Sequence, residues 1–264
     1  MAEGMRTGAA AAATGEQPFE ASARQRAARA WLHEAGGPCR VKLCGMFRPA
    51  DIDVLAAMAA AGAAPDLVGF IVDFPRSHRS LAPEELAALT ARMAAAQGAG
   101  AAESGAAAQG ADAAPWRVGV FVDQPAARVA RIAAGCGLDL VQLHGHETAA
   151  DVRALQAAAP GLGIIQAFRA AAPADVACAC ESPADMILLD SGQGSGETFD
   201  WSLAAAATRP FLLAGGLGPG NVARAIEQVR PWGVDMSSGI ETDKLKDPGK
   251  MEAAVAAVRA ARGL

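Results

Sequence analysis

The sequence lacks an excess of positive charge, and it lacks a long uninterrupted apolar run. It has 23 Lys and Arg residues against 28 Asp and Glu residues, which gives a formal net charge of -5 and a pI of about 5.4. Proteins that bind nucleic acids or anionic membranes in general carry basic surfaces, so neither partner is predicted. No stretch of about 18 apolar residues is free of charge and glycine, so no membrane span is predicted either.

Cysteine is scarce and is not arranged as a disulfide framework. The chain has five cysteines, an odd number, at spacings that suggest no pairing. Cys178 and Cys180 form a C-x-C pair without a second pair downstream, which is poor evidence for zinc. Scattered thiols in such a chain favour a reducing compartment. We therefore expect a cytoplasmic protein with no metal site.

The composition that remains is that of a folded globular protein. Hydrophobic residues make up 52% of the 264 residues and charged residues 19%, which excludes disorder as the general state. A chain of this length buries roughly 75% of the surface that its unfolded form exposes. It suffices for one or two domains, and a single α/β barrel contains about 250 residues.

Two segments differ from the rest in composition. Residues 1–36 are predicted to be an N-terminal extension, flexible or part helical, with a helix over 20–34. Residues 98–115 are mostly Ala and Gly and are predicted to be a mobile insert within a catalytic domain over 37–264. Neither segment shows a periodic apolar face, so neither is expected to complete the functional site.

The rest of the chain alternates short apolar runs with helical stretches that often begin at proline. Eight such runs are predicted strands: 41–44, 67–72, 117–122, 139–143, 163–168, 185–189, 210–213 and 233–236. The helices that follow them are predicted over 49–62, 83–97, 125–136, 147–159, from 173, 201–207, 219–230 and 248–262.

Eight strand–helix units indicate an α/β fold, a single (β/α)₈ TIM barrel. The alternative is an open doubly wound sheet, which would be expected to have a glycine-rich dinucleotide loop after its first strand. That position holds Gly45-Met46-Phe47-Arg48, which does not match such a loop.

Two candidate catalytic residues end predicted strands at the active end of such a barrel. Cys44 ends the first strand, although a free cysteine is most often a small buried hydrophobe. Asp190 ends the sixth strand, where it is either the cap of the following turn or a tunable acid in a dry barrel mouth.

Small residues follow the seventh and eighth strands, where barrels commonly bind phosphate. Gly215 and Gly216 follow the seventh strand, and Asp235, Ser237 and Ser238 lie at the end of the eighth. Small side chains allow backbone N–H groups to approach an anion closely. These residues are predicted to bind a phosphorylated small molecule, although simple tight turns are the alternative.

Two further residues are candidates for substrate contact. Arg79 lies in the loop after the second strand, with Arg76 and His78 beside it, and is either solvated or a clamp for a substrate carboxylate. His144 ends the fourth strand and is a structural residue, a base or a substrate ligand.

Several segments, taken in order from about residue 40 to 262, resemble phosphoribosylanthranilate isomerase of tryptophan biosynthesis. The most specific are Val41-Lys42-Leu43-Cys44-Gly45, Ser77-His78-Arg79, Gln142-Leu143-His144-Gly145, Leu188-Leu189-Asp190, Ala214-Gly215-Gly216-Leu217 and Asp235-Met236-Ser237-Ser238-Gly239. Residues 1–36 and 98–115 are additions to the family pattern.

The resemblance implies an isomerase that performs an Amadori rearrangement without a cofactor. It implies that Cys44 is the general base, Asp190 the general acid and Arg79 the residue that holds the anthranilate carboxylate. Gly215, Gly216, Ser237 and Ser238 would hold the phosphate. The chain is expected to be a monomer or a homodimer. Two alternatives are another sugar-phosphate barrel enzyme and a non-catalytic phosphate-binding protein.

Overall fold

The computed structural model describes residues 19–104, 114–190 and 201–261. Half of the predicted insert at 98–115, residues 105–113, therefore lies outside the described residues. Residues 191–200, which follow Asp190, also lie outside them. Among the described residues, no helix combines the length and the apolar character needed to span a membrane.

Eight parallel strands form a closed barrel, as the sequence predicted. Each strand pairs with the next along the chain, and the first pairs with the last, Lys42 lying opposite Asp235. The barrel strands are β1 (Arg40–Cys44), β2 (Leu67–Val72), β3 (Trp116–Phe121), β4 (Leu140–Leu143), β5 (Gly163–Arg169), β6 (Met186–Asp190), β7 (Phe211–Ala214) and β8 (Gly233–Met236). Short pieces Ser80–Leu81, Glu241–Thr242 and Leu245–Lys246 lie in the loops.

Helices connect the strands and cover the outside of the barrel. They are α1 (Ala23–Leu32), α2 (Pro49–Ala60), α3 (Pro83–Ser104), α4 (Ala126–Gly135), α5 (Ala149–Ala158), α6 (Pro173–Cys180), α7 (Val222–Val229) and α8 (Pro248–Ala261). Proline opens α2, α3, α6 and α8, where its missing N–H has no intrahelical partner to lose.

Two of the predicted helices were wrong in detail. α3 continues to Ser104 instead of ending near Gln97, because alanine favours the helix more than the intervening glycines oppose it. The segment Trp201–Ala206 is a 3₁₀ helix instead of an α-helix, a form that is common in connectors of this length.

The core has two layers, as a barrel requires. Outward-facing strand residues such as Leu43 and Phe70 pack under the helices, and inward-facing residues such as Leu67, Ile165 and Leu188 fill the barrel. The alternation along each strand produces both sets, since successive side chains point to opposite faces.

The expectation that residues 1–36 lack an apolar face was wrong for α1. Ser22 caps the helix by accepting from the Gln25 N–H, and the Gln25 side chain accepts from the Ser22 N–H. Ala28 and Leu32 are buried and belong to the same apolar cluster as the barrel interior. The helix therefore covers the N-terminal end of the barrel. Its buried apolar face consists of Ala28 and Leu32.

Polar and aromatic contacts attach α1 to the strand beginnings. Arg24 Nε lies 2.9 Å from Asp139 Oδ1, and Arg29 Nε lies 2.9 Å from Asp185 Oδ1. Trp31 contacts two further tryptophans of the barrel floor, with ring centroids 6.1 Å from Trp116 and 4.9 Å from Trp232. The N-terminal end is thus closed, and the C-terminal end is the open mouth of the barrel.

Candidate active site

The predicted site residues lie at the C-terminal end of the barrel. Cys44 ends β1 and Asp190 ends β6, while His144 directly follows β4. Gly215, Gly216, Ser237 and Ser238 follow β7 and β8. Parallel strands bring all of these positions to one end, which is where barrel enzymes have their active sites.

Cys44 is buried at the edge of the mouth, with 6% of its surface exposed. It lies opposite Gly69 of β2. A Cβ atom on Gly69 would lie 2.6 Å from Cys44 Sγ and 3.1 Å from Lys42 Nζ. Only glycine at position 69 therefore leaves space in which the thiol and the ammonium group come together.

A buried ion pair lies directly below Cys44. Lys42 is completely buried, and its Nζ lies 2.7 Å from Asp235 Oδ2. Burial by itself would lower the pKa of Lys42, but the Asp235 carboxylate and the Cys44 thiol raise it above its ordinary value. Lys42 is therefore a cation in the barrel interior.

Burial also dominates the protonation of Cys44. It raises the pKa of the thiol above its usual value, and Asp235 acts in the same direction. The ammonium groups of Lys42 and Lys246 act in the opposite direction, Lys42 more strongly. The pKa of the Cys44 thiol is therefore set by a balance between desolvation, which raises it, and nearby positive charge, which lowers it.

Asp190 lies beside His144 at the other side of the mouth. His144 Nε2 is 3.5 Å from Asp190 Oδ2, and the two side chains are 37% and 26% exposed. Gln142, which is fully buried, places its Nε2 2.7 Å from His144 Nδ1. Nδ1 of His144 thus faces Gln142 and Nε2 faces Asp190, so that Gln142 holds the ring beside the carboxylate.

Arg79 is held by a carboxylate of the protein. Its Nε donates to Glu241 Oε1 at 2.5 Å and its Nη2 to Glu241 Oε2 at 2.6 Å. Lys246 Nζ lies 2.7 Å from Glu241 Oε1. Burial would raise the pKa of Glu241, but these two cations lower it. Arg79 is therefore a positioned cation and is not solvated surface.

The loops after β7 and β8 pack closely against each other. A Cβ atom on Gly239 would lie 2.0 Å from the carbonyl oxygen of Leu217, so that position requires glycine. Gly215 and Gly216 have φ values of +94° and +63°, a region that glycine adopts without strain. Gly216 and Ser238 are exposed at the mouth. The two loops form one backbone surface suited to an anion.

Two predicted phosphate contacts have partners within the protein. The Asp235 carboxylate points into the barrel towards Lys42 and away from the loop surface, which differs from the sequence prediction. The Ser237 hydroxyl donates to the carbonyl oxygen of Cys44 at 3.2 Å. Ser237 thus connects the eighth-strand loop to the backbone of the thiol.

The sequence prediction missed four residues that support the site: Lys42, Gln142, Glu241 and Lys246. Lys42 and Gln142 interrupt apolar strands at inward-facing positions, which is a signal for a buried polar role. Glu241 and Lys246 showed no comparable signal, since they lie in a polar loop. Among the described residues, no cluster of three His, Cys, Asp or Glu side chains is arranged to hold a metal ion.

A family model described as "N-(5'phosphoribosyl)anthranilate (PRA) isomerase" matches residues 78–257. The chain belongs to this family. Among curated relatives, N-(5'-phosphoribosyl)anthranilate isomerase of Solibacter usitatus is 39% identical over 84% of this chain and 98% of its own length. That of Magnetococcus marinus is 38% identical over 84% of this chain and 96% of its own.

Solved structures of the isomerase family have the same fold. The enzyme of Thermotoga maritima has a TM-score of 0.67 and 30% identity, covering 84% of this chain and 99% of that one. A structure of a family member in complex with reduced 1-(o-carboxyphenylamino)-1-deoxyribulose 5-phosphate has a TM-score of 0.65 and 30% identity over the same shares. Membership in the isomerase family confirms both the barrel and the resemblance inferred from the sequence, and this chain is an isomerase of tryptophan biosynthesis.

Proposed function

We propose that this chain converts N-(5-phosphoribosyl)anthranilate to 1-(2-carboxyphenylamino)-1-deoxyribulose 5-phosphate by general acid and base catalysis. The observation that supports this most directly is the placement of Cys44 and Asp190. A thiol and a carboxylate end two separate strands at the mouth of an isomerase-family barrel. The reaction requires one proton to be delivered and another to be removed, and these are the groups that we assign to the two steps.

In the first step, Asp190 in its acid form donates a proton to the ring oxygen of the ribose. The bond between C1 and the ring oxygen breaks, and the lone pair of the substrate nitrogen forms a C=N bond. The product is an open-chain protonated imine. The contact from His144 orients Asp190 for this transfer, and the carboxylate that remains is stabilised by the same contact.

In the second step, the Cys44 thiolate removes the proton from C2. The electron pair of the C2–H bond forms a C1=C2 bond, and the electrons of the C=N bond return to nitrogen. The resulting enolamine tautomerises to the ketone. The substrate supplies the nitrogen that accepts the electrons, so we propose no cofactor. A positioned acid or base typically contributes about 10²–10⁴ in rate.

We propose that the two ends of the substrate are held by separate parts of the mouth. Gly215, Gly216, Ser237 and Ser238 hold the phosphate on the surface between the last two strand loops. Arg79 holds the anthranilate carboxylate with the edge of its guanidinium that faces away from Glu241. The bidentate pair with Glu241 fixes the plane of that guanidinium, which reduces the entropy lost on binding.

The proposed partner is a phosphorylated small molecule, and we assign no nucleic acid or membrane partner. We propose a cytoplasmic monomer or homodimer. The isomerase of Thermotoga maritima, which resembles this chain at a TM-score of 0.65, is described as dimeric. Light scattering of the purified chain at several concentrations would decide between the two states.

The deciding experiment follows the fluorescence of phosphoribosylanthranilate, which is generated in the assay, as the enzyme consumes it. We expect loss of fluorescence with the wild-type chain and a loss at least about a hundredfold slower with Cys44→Ala. A wild-type chain that binds the reduced product analogue without consuming the substrate would instead be a phosphate-binding protein. Turnover of a different sugar phosphate in place of this one would assign another barrel activity.

A further inference from the structure

Among the described residues, three sets of polar side chains border the site without transferring a proton themselves. They are the Lys42–Asp235 pair, the Gln142 amide, and the Glu241–Lys246 pair behind Arg79. The Lys42–Asp235 pair is the most unusual of these, because a lysine that is completely buried must be stabilised by a nearby negative charge. An apolar pair would fill the same volume at little or no loss of stability.

The geometry around the pair points to Cys44. Lys42 and Cys44 are two residues apart on β1, so both side chains point into the barrel. The space beside Gly69 is bordered by both Lys42 Nζ and Cys44 Sγ. We propose that Lys42, held by Asp235, is a positioning residue that stabilises the Cys44 thiolate during removal of the substrate proton.

In the part of the chain that the structure describes, the charges with the largest effect on Cys44 come from three elements. Lys42 approaches from β1, Asp235 from β8, and Lys246 from the hairpin that follows β8. Lys246 is neutralised by Glu241 and also donates to the carbonyl oxygen of Ser237 at 3.0 Å. Lys42 is the stronger of the two cations in lowering the pKa of the thiol. On β2, Gly69 lies opposite Cys44 and carries no charge.

Asp235 has a second role in this arrangement. Its Oδ2 accepts from Lys42, whereas its Oδ1 is buried and has no hydrogen-bond partner among the described residues. A carboxylate held this way keeps the buried lysine protonated, because it compensates for the desolvation of the ammonium group. Without Asp235 the lysine would tend to lose its proton and with it the effect on Cys44.

The first test uses Lys42→Met and the double variant Lys42→Met/Asp235→Asn. The double variant buries no unpaired charge, so it is expected to fold even where the single variant does not. Alkylation of Cys44 by iodoacetamide is measured as a function of pH, with the Cys44 peptide quantified by mass spectrometry. We expect the midpoint in the double variant to rise by about one pH unit, and by more in the single variant where that folds. Loss of the Lys42 cation raises the pKa of the thiol, whereas loss of the Asp235 carboxylate lowers it by a smaller amount.

The second readout is the single-turnover rate of the isomerisation over the same pH range. At neutral pH it should fall about tenfold or more in the double variant, and the deficit should narrow at high pH as thiolate forms without help. A merely structural pair would lower the rate without moving the pH profile.

Arg117→Met is the matched control, since Arg117 pairs with Asp139 at 2.9 Å at the opposite end of the barrel. We expect it to lower thermal stability and to leave the alkylation midpoint unchanged. A folded double variant whose midpoint moves by less than a few tenths of a unit would overturn the proposal.

This inference rests on the proposed role of Cys44 as the base, but the two can fail separately. Full activity in Cys44→Ala would refute the role of Cys44 in the reaction. The alkylation midpoint would still report whether Lys42 acts on the thiol.

Discussion

The two ends of the barrel differ in how their polar groups are used. At the N-terminal end, α1 places Ala28 and Leu32 over the barrel interior and pairs Arg24 with Asp139. At the C-terminal end, Cys44 and Asp190 lie in a mouth bordered by exposed Gly216 and Ser238.

The difference assigns stability to one end of the barrel and substrate binding to the other. Contacts at the closed end join α1 to the strand beginnings and supply stability. At the open end, Asp190 and glycine backbone are partly exposed and Cys44 is buried beside the mouth. These groups cost stability but are available to a substrate. Substitutions of the paired charges at the closed end are therefore expected to change stability, and substitutions at the open end are expected to change activity.

The largest expected effect is at the open end. Cys44→Ala and Asp190→Asn should each lower kcat by at least about 10², because each removes a proton-transfer group from the proposed reaction. Both variants should keep the wild-type midpoint of urea denaturation and should still bind the reduced product analogue. The measurement is steady-state kinetics with a calorimetric titration of the analogue.

Cys44→Ser sharpens this prediction. An alcohol has a much higher pKa than a thiol, so the serine should be a far poorer base although it is smaller and fits the site. If Cys44→Ala kept more than roughly a tenth of wild-type kcat while chemistry limits the rate, His144 would become the next candidate for the base.

The second effect, in order of size, is at the closed end. Leu32→Ala should lower the free energy of unfolding by about 2–5 kcal/mol, because Leu32 is 1% exposed and its removal leaves a cavity under α1. Activity per folded molecule should stay within about threefold, since the site lies at the other end. Urea denaturation and kinetics at 25 °C measure the two quantities.

Leu245→Ala is the control for this variant, since Leu245 is 44% exposed. Its unfolding free energy should change by no more than about 0.5 kcal/mol. A Leu32→Ala enzyme that is as stable as wild type would show that α1 is not part of the folded unit, and the comparison between the two ends would then fail.

The third prediction concerns Arg79, which belongs to the open end but is tied to the protein. Arg79→Ala should raise KM by about ten- to a hundredfold and change kcat much less. A carboxylate contact of this kind is present in both the ground state and the transition state. Charged hydrogen bonds of this type contribute about 1.5–3 kcal/mol.

Arg79→Lys is the matched variant, because it keeps the charge but loses the bidentate pair with Glu241. We expect a KM between those of the wild type and Arg79→Ala. An unchanged KM in a folded Arg79→Ala enzyme would remove Arg79 from the substrate site and leave it as a partner of Glu241 alone.

The sequence predicted the regular part of this molecule well because each strand carries its own local signal. The strands were placed within a residue or two, and proline marked four of the helix starts. Closure of the barrel also followed from counting eight units. The buried face of α1 was harder to predict, since its apolar residues Ala28 and Leu32 lie between arginines. That these two residues are buried becomes clear only from their packing against the N-terminal end of the barrel.

The sequence predicted the site residues that end strands, but it did not predict the contacts between residues that are far apart in the chain. Cys44 and Asp190 could be placed at the mouth from their positions alone. The pairing of Lys42 with Asp235 joins residues that are 193 positions apart, and no local pattern reports the register that brings them together. Glu241 was missed for the same reason, since it pairs with Arg79, 162 positions away. Gln142 was missed although its partner His144 is only two positions away, because the strand pattern shows that a side chain points inward but not what it contacts.

The smallest effect is expected at the N-terminal cap of α1. It shows whether α1 is stabilised by its own cap or by its contacts with the barrel. Ser22→Ala removes the side-chain oxygen that accepts from the Gln25 N–H at 3.1 Å, so one donor of the first helical turn loses its partner. We expect a loss of about 1 kcal/mol in the free energy of unfolding, with kinetics unchanged. Urea denaturation measures it.

Ser22→Gly is the matched variant, because it also removes the side-chain oxygen but glycine is itself tolerated at a helix cap. We expect it to lower the free energy of unfolding by only a few tenths of a kcal/mol. Gln25 would still donate to the carbonyl oxygen of Leu138 in both variants, so α1 should keep its place on the barrel. A loss of unfolding free energy as large as that of Leu32→Ala would mean that the packing of α1 on the barrel depends on its N-terminal cap. No loss in either variant would mean that the contacts with the barrel alone determine the helix start.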